Sequence, residues 1–133
     1  MNLNQNLRSR GYRSTRSRTA VLSAVQARPR TVAEIHHELR QTDHQINLSS
    51  VYRSLDVLNE LGMIQEVHTG DGIARYERSD QSHHHHLICK RCGTIRDIQV
   101  CDEGLLKKAA SVAPFQIDDH RLEFIGVCGR CSK

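Results

Sequence analysis

At 133 residues with only 4% aromatics and no tryptophan, the chain suits one domain, or two small ones that each need help to stay folded. Its formal net charge is +4, and its apolar runs fall far short of the roughly 20 residues that span a bilayer. Residues 1–18 are polar and arginine-rich, without the apolar stretch of a secretory signal, so a cytoplasmic protein with no membrane partner is expected.

No acidic residue precedes Glu34, whereas Arg8, Arg10, Arg13, Arg16, Arg18, Arg28 and Arg30 all do. A basic run of this length can be a merely solvated face. Beside a helical DNA-binding pattern it reads as an arm that contacts phosphates. Thr15–Gln26 places Ala20, Val21, Ala24 and Val25 at helical spacing, and Arg28-Pro29-Arg30 breaks it. Thr31-Val32-Ala33-Glu34 fits a capping box, followed by a core stripe of Val32, Ile35 and Leu39. After a polar stretch, Gln41–Gln45, a third helix is expected from Ser49 or Ser50 to Gly62, burying Val51, Leu55, Leu58 and Leu61 and leaving Ser50, Arg53 and Ser54 on the surface. Strands over Met63–His68 and Ile73–Glu77, joined by Thr69-Gly70-Asp71-Gly72, complete a helix–helix–helix–hairpin order. That order is a winged helix-turn-helix.

A polar hinge is expected at Arg78–Ser82, giving a domain over 1–78 and a second over 79–133. The second should contain strands at Leu87–Cys89, Ile95–Val100, Phe115–Asp118 and Arg121–Val127, and a helix at Asp102–Val112. The fold class is therefore α+β: a winged helix and a small α/β domain. About fifty residues rarely hold a core unaided, so a structural metal is expected there.

Two C-x-x-C pairs, Cys89/Cys92 and Cys128/Cys131, are the strongest chemical signal. One pair could equally be a redox dithiol. Two pairs, flanked by Lys90, Arg91 and Arg130, complete a tetrahedron of thiolates around Zn(2+), with Gly93 and Gly129 relieving crowding at the knuckles. All four positions are then filled by protein, which leaves no opening for a substrate. Cys101 is left over, and its replacement is expected to be nearly neutral. Ahead of the first knuckle run His83-His84-His85-His86. On an extended chain alternate side chains face opposite ways, so His84 and His86 share one face and His83 and His85 the other. Two metal sites on either side of one strand would fit.

These motifs resemble the ferric uptake regulator family of bacterial metalloregulators over nearly the whole chain. Arg10–Arg18 is similar to the family's N-terminal arm, Leu48–Leu55 with its Val-Tyr-Arg to the recognition helix, and His83–Cys92 to the H-H-x-H-L-x-C-x-x-C signature; His120 lies eight residues before Cys128, where the family also has a histidine. The resemblance implies a homodimeric repressor that binds double-stranded palindromic operator DNA when a divalent metal is held. It implies DNA contacts from Arg13, Arg16, Ser49, Ser50, Tyr52 and Arg53. It implies a regulatory hinge site of Glu77, His84, His86 and Asp97, and a second dimerisation-domain site of His83, His85, Glu103 and His120. Two departures stand out. The loop Arg28-Pro29-Arg30 lacks a histidine that iron- and peroxide-sensing members usually supply, so either another group (His36, His37 or His68) closes the hinge site or the coupling to the DNA-binding domain is altered. Ser79 stands where zinc sensors place a cysteine, which argues mildly against zinc. Fe(2+), Zn(2+) and Mn(2+) all suit imidazole and carboxylate ligands. Fe(2+) is slightly favoured, with a zinc-uptake or peroxide-responsive regulator of the same family as the alternative. A zinc hydrolase is disfavoured because H-E-x-x-H is missing, and a zinc-ribbon interaction module without metal sensing is the rival from another class.

Overall fold

The computed structural model describes residues 2–42, 46–79 and 83–133. The end of the expected polar stretch (43–45) and most of the expected hinge (80–82) lie outside the described residues. The chain divides into two compact units, one formed by Met1–His68 with Gly72–Gln81 and the other by Thr69–Asp71 with Ser82–Lys133.

The first unit opens with α1 (Leu3–Ser9), started by a reciprocal capping box between Asn2 and Gln5 and burying Leu7 completely. Its single buried apolar residue gives no periodicity, so the sequence offered no sign of it. α2 (Arg16–Ala24) begins at Thr15, whose hydroxyl accepts from the Arg18 N–H at 3.2 Å. It stops two residues short of Gln26 because Val25 is already extended, leading into a two-residue strand, β1 (Arg30–Thr31). Thr31 also caps α3 (Val32–Gln41), accepting from Glu34 N–H at 3.1 Å. Only that half of the expected capping box is recorded: the Glu34 carboxylate lies 3.8 Å from Arg30 instead. α4 (Leu48–Glu60) starts earlier than expected because Asn47, not a serine, is its cap, its side chain accepting from Ser50 N–H at 2.8 Å. Ser54 turns out to be buried and Leu61 half-buried, at the helix end. β2 (Ile64–His68) and β3 (Ala74–Arg78) form an antiparallel hairpin, and β1 pairs with the other edge of β3.

Val21, Ile35, Val51, Leu55, Leu58 and Ile64, each at most 1% exposed, form the centre of one core shared by α2, α3, α4 and the hairpin. Leu55 faces inward from the middle of α4. Leu55→Ala should therefore cost about 2–5 kcal/mol through lost burial and a residual cavity. A denaturation midpoint unchanged from the parent would contradict this placement of the core.

The second unit carries β4 (His85–Cys89), β5 (Ile95–Ile98), α5 (Glu103–Ser111) and β6 (Glu123–Gly126). The sheet order is β5-β4-β6, with β4 antiparallel to β5 and parallel to β6. The strand expected at Phe115–Asp118 is not formed, and Phe115 is 70% exposed. Both β-edges of β4 are already taken by β5 and β6, so this segment has no central partner to join. Burial here is sparse: α5 buries nothing, and Ile88 is the only aliphatic side chain described as buried between 83 and 133.

Candidate functional site

The parallel pairing of β4 and β6 creates the cysteine cluster. Both strands run the same way, with Cys89 opposite Gly126, so the two C-x-x-C knuckles hang from the same end of the sheet. Lys90 N–H donates to Gly126 O at 2.9 Å and ties the knuckles together. The first knuckle closes through Gly93 N–H to Cys89 O at 2.9 Å, with Gly93 at φ +76°, where only glycine is unstrained. An added Cβ would meet nothing within 4 Å at either Gly93 or Gly129, so neither relieves crowding as expected; Gly93 is called for by its positive φ, which Gly129 does not share.

The four sulfurs lie within 4.8 Å of one another, and those of Cys92 and Cys128 are 3.7 Å apart. With Zn–S bonds near 2.3 Å, adjacent ligands of a tetrahedron sit about 3.8 Å apart. The Cys89 thiol falls to about 5 because backbone N–H groups of Cys92 and Cys128 donate to it. Cys131 goes the other way, pushed up to about 12 by the neighbouring thiols of Cys128 and Cys92. Four thiolates this close cannot all ionise unless a cation sits among them. The cluster fits a structural zinc.

The histidine run divides between two donor groups. His84 and His86, nearly buried, lie with Asp97 on one side of β4; His86 is opposite Asp97 in the β4–β5 register, and their Nε2 atoms are 4.0 and 3.7 Å from Asp97 Oδ1. Glu77, the remaining member of the expected regulatory set, is on β3 of the first unit, fully buried, where its carboxylate accepts from the Gln65 amide. His36, His37 and His68 make local contacts with Ile46 O, Gln41 and Glu66.

On the other side, His83, His85 and His120 converge through Nε2, at 3.2 Å for His83–His120 and 3.2 Å for His85–His120. Burial, and then the neighbouring His83 and His120, push the His85 pKa down, which favours the neutral, ligating imidazole. The fourth donor differs from the expected one. Cys101, not Glu103, belongs to the group, with all donor atoms within 4.8 Å. Asp102 caps α5 by accepting from Gly104 N–H, so Glu103 becomes the exposed first residue of the helix while the loop before the cap delivers Cys101. The odd cysteine was the available signal, but pairing logic counts thiols against thiols and overlooked imidazoles.

In the first unit, Ser49, Tyr52 and Arg53 are exposed along α4 and Ser50 is half-buried, with Arg53 donating to the Ser50 hydroxyl at 3.3 Å. Arg13 and Arg16 are exposed at the start of α2, and the Arg13 carbonyl accepts from the Arg18 guanidinium.

A model of the ferric uptake regulator family matches residues 9–125. The chain is 31% identical to the ferric uptake regulation protein of Bacillus subtilis, over 98% of this chain and 92% of that one. It is 35% identical to the zinc uptake regulation protein of Mycobacterium tuberculosis, over 91% of this chain and 95% of that one. Among solved structures it is similar to the Helicobacter pylori ferric uptake regulator, described as having three functional metal-binding sites, with a TM-score of 0.80 and 26% identity over 98% of this chain and 89% of that one.

Proposed function

Because the chain belongs to the ferric uptake regulator family, whose members are metal-responsive transcriptional regulators, we propose that it is a repressor whose homodimer binds operator DNA when a divalent metal fills its regulatory site. The observation that carries this reading is the pairing, in one chain, of a closed four-thiolate cluster with an imidazole–carboxylate group beside it. The first has the chemistry of a permanent structural ion, the second that of an exchangeable one. We assign DNA binding to residues 1–78 and dimerisation and sensing to 79–133. Glu77 would join His84, His86 and Asp97 in the regulatory site, so that a metal there links the two halves. Ser79 adds no thiol to that set, and Fe(2+) is the first metal to test, against Mn(2+) and Zn(2+).

Homodimerisation is supported by what the second unit leaves exposed. Val100, Leu105, Val112, Phe124 and Ile125 are each at least 46% exposed, apolar side chains that a partner protomer would cover. The expected measurement is operator affinity with and without added metal under anaerobic conditions; equal affinity in both would contradict the switch.

On the DNA side, an exposed Arg13 at the arm and Tyr52 and Arg53 on α4 divide the work between phosphate and base contacts. Arg13→Ala should weaken binding to all duplexes alike and reduce the salt slope by about one. Arg53→Ala should instead lower the ratio of operator to random-duplex affinity, at a cost of about 1–3 kcal/mol. An intact ratio would remove α4 from the role of recognition helix.

A further inference from the structure

We propose that Cys101 is a metal ligand, completing with His83, His85 and His120 a closed site of three imidazoles and one thiolate. Its loop lies between β5 and α5, and its Sγ is 3.3 Å from His120 Nε2 and 4.0 Å from His83 Nε2. Hydrogen bonding does not account for this cluster. An imidazole Nε2 has one proton or one lone pair to offer, yet His120 Nε2 is within 3.3 Å of two other Nε2 atoms and a sulfur at once. A cation at the centre satisfies all four. With bonds of about 2.0–2.1 Å to nitrogen and 2.3 Å to sulfur, adjacent tetrahedral ligands sit about 3.3–3.7 Å apart, and the separations of 3.2, 3.2, 3.3 and 4.0 Å in the structure bracket that range.

The donor type sets the metal. A carboxylate from Glu103 would leave the site suited to iron, manganese or zinc alike. A thiolate shifts it towards softer, borderline ions, Zn(2+) above Fe(2+) or Mn(2+). Four protein donors also leave no open position, so this is a binding site and not a catalytic one. One chain then holds two closed zinc sites with at least one thiolate ligand each, and an imidazole–carboxylate group free of sulfur, which separates the ions it keeps from the ion it senses. Cys101 is exposed, so metal at this site would also shield its thiol from alkylating reagents.

The proposal rests on the metal-binding reading above, but its test does not depend on operator binding. The chain has five cysteines, of which four belong to the knuckles. Protein retaining knuckle zinc and stripped of exchangeable metal is titrated with Co(2+), and the thiolate-to-cobalt charge-transfer band is recorded. The parent and Glu103→Gln should both develop that band, and Cys101→Ser should lack it while keeping its knuckle zinc. Cys101→Asp should keep cobalt binding without the band, which separates a lost ligand from a misfolded loop. Zn(2+) affinity at this site should fall more than tenfold in Cys101→Ser, beyond the lower end of what loss of a second-shell partner costs. A band surviving in Cys101→Ser, or lost in Glu103→Gln, would overturn the assignment. So would Cys101 alkylation that proceeds equally fast with and without Zn(2+).

Discussion

Replacing Cys89 or Cys128 by serine is expected to release the knuckle zinc and unfold the second unit, taking dimerisation with it. The reason lies in how little else holds that unit together. Ile88 is the one aliphatic side chain described as buried between 83 and 133, α5 buries none, and the remaining buried positions are Cys89, His85 and His86. At about 25 cal/mol per Å2, burial this sparse cannot offset the ordering of some fifty residues. Structural zinc sites contribute about 10–16 kcal/mol of apparent binding free energy near neutral pH, and that is folding free energy when the site is unformed in the open chain. Cys89 also lies at the junction of the two knuckles, since its sulfur accepts from Cys128 N–H at 3.4 Å. Zinc content, far-UV circular dichroism and hydrodynamic size of Cys89→Ser read the three consequences separately. A folded, zinc-free dimer would show that burial at the exposed apolar face suffices and that zinc is dispensable. The first unit, with its own core, should keep its helices in either case.

What could be read in the sequence was what short-range patterns encode. The apolar spacing of Val51, Leu55 and Leu58 fixed α4 because each position has one inward direction, and two C-x-x-C pairs announce four convergent thiols because the knuckle turn is local. Features that depend on distant partners were not legible. β1 exists only because β3 offers it an edge, and Phe115–Asp118 fails as a strand because β4 already has both partners. Cys101 belongs to the same class. Nothing within ten residues of it supplies a donor of its group; His83, His85 and His120 reach it across the fold. The alternation of His83–His86 was readable from strand geometry, but the side chain completing each set depended on which loops the sheet brought near.

His84→Ala and His86→Ala should leave the knuckle zinc, secondary structure and dimerisation intact, yet abolish the strengthening of operator binding by metal. Neither imidazole is among the four thiolate donors, and neither belongs to the group of His83, His85, Cys101 and His120. Their effect is therefore confined to the site that includes Asp97, 3.7 Å from His86 and 4.0 Å from His84. A metal drives a conformational change only through unequal affinity for the two states. If the closed, DNA-binding arrangement is the one that offers the full set of donors, removing one imidazole erases most of that inequality. Losing a tenfold metal-dependent enhancement corresponds to about 1.4 kcal/mol of coupling, within the usual allosteric range. By reciprocity, operator DNA should tighten metal binding in the parent and fail to do so in either variant. The decisive measurement is operator affinity across an anaerobic metal titration, with zinc counted on every variant. Should His84→Ala respond as the parent does while His83→Ala, Cys101→Ser or His120→Ala does not, the switch resides in the three-histidine site, and the set containing Glu77, His84, His86 and Asp97 is not the regulatory one.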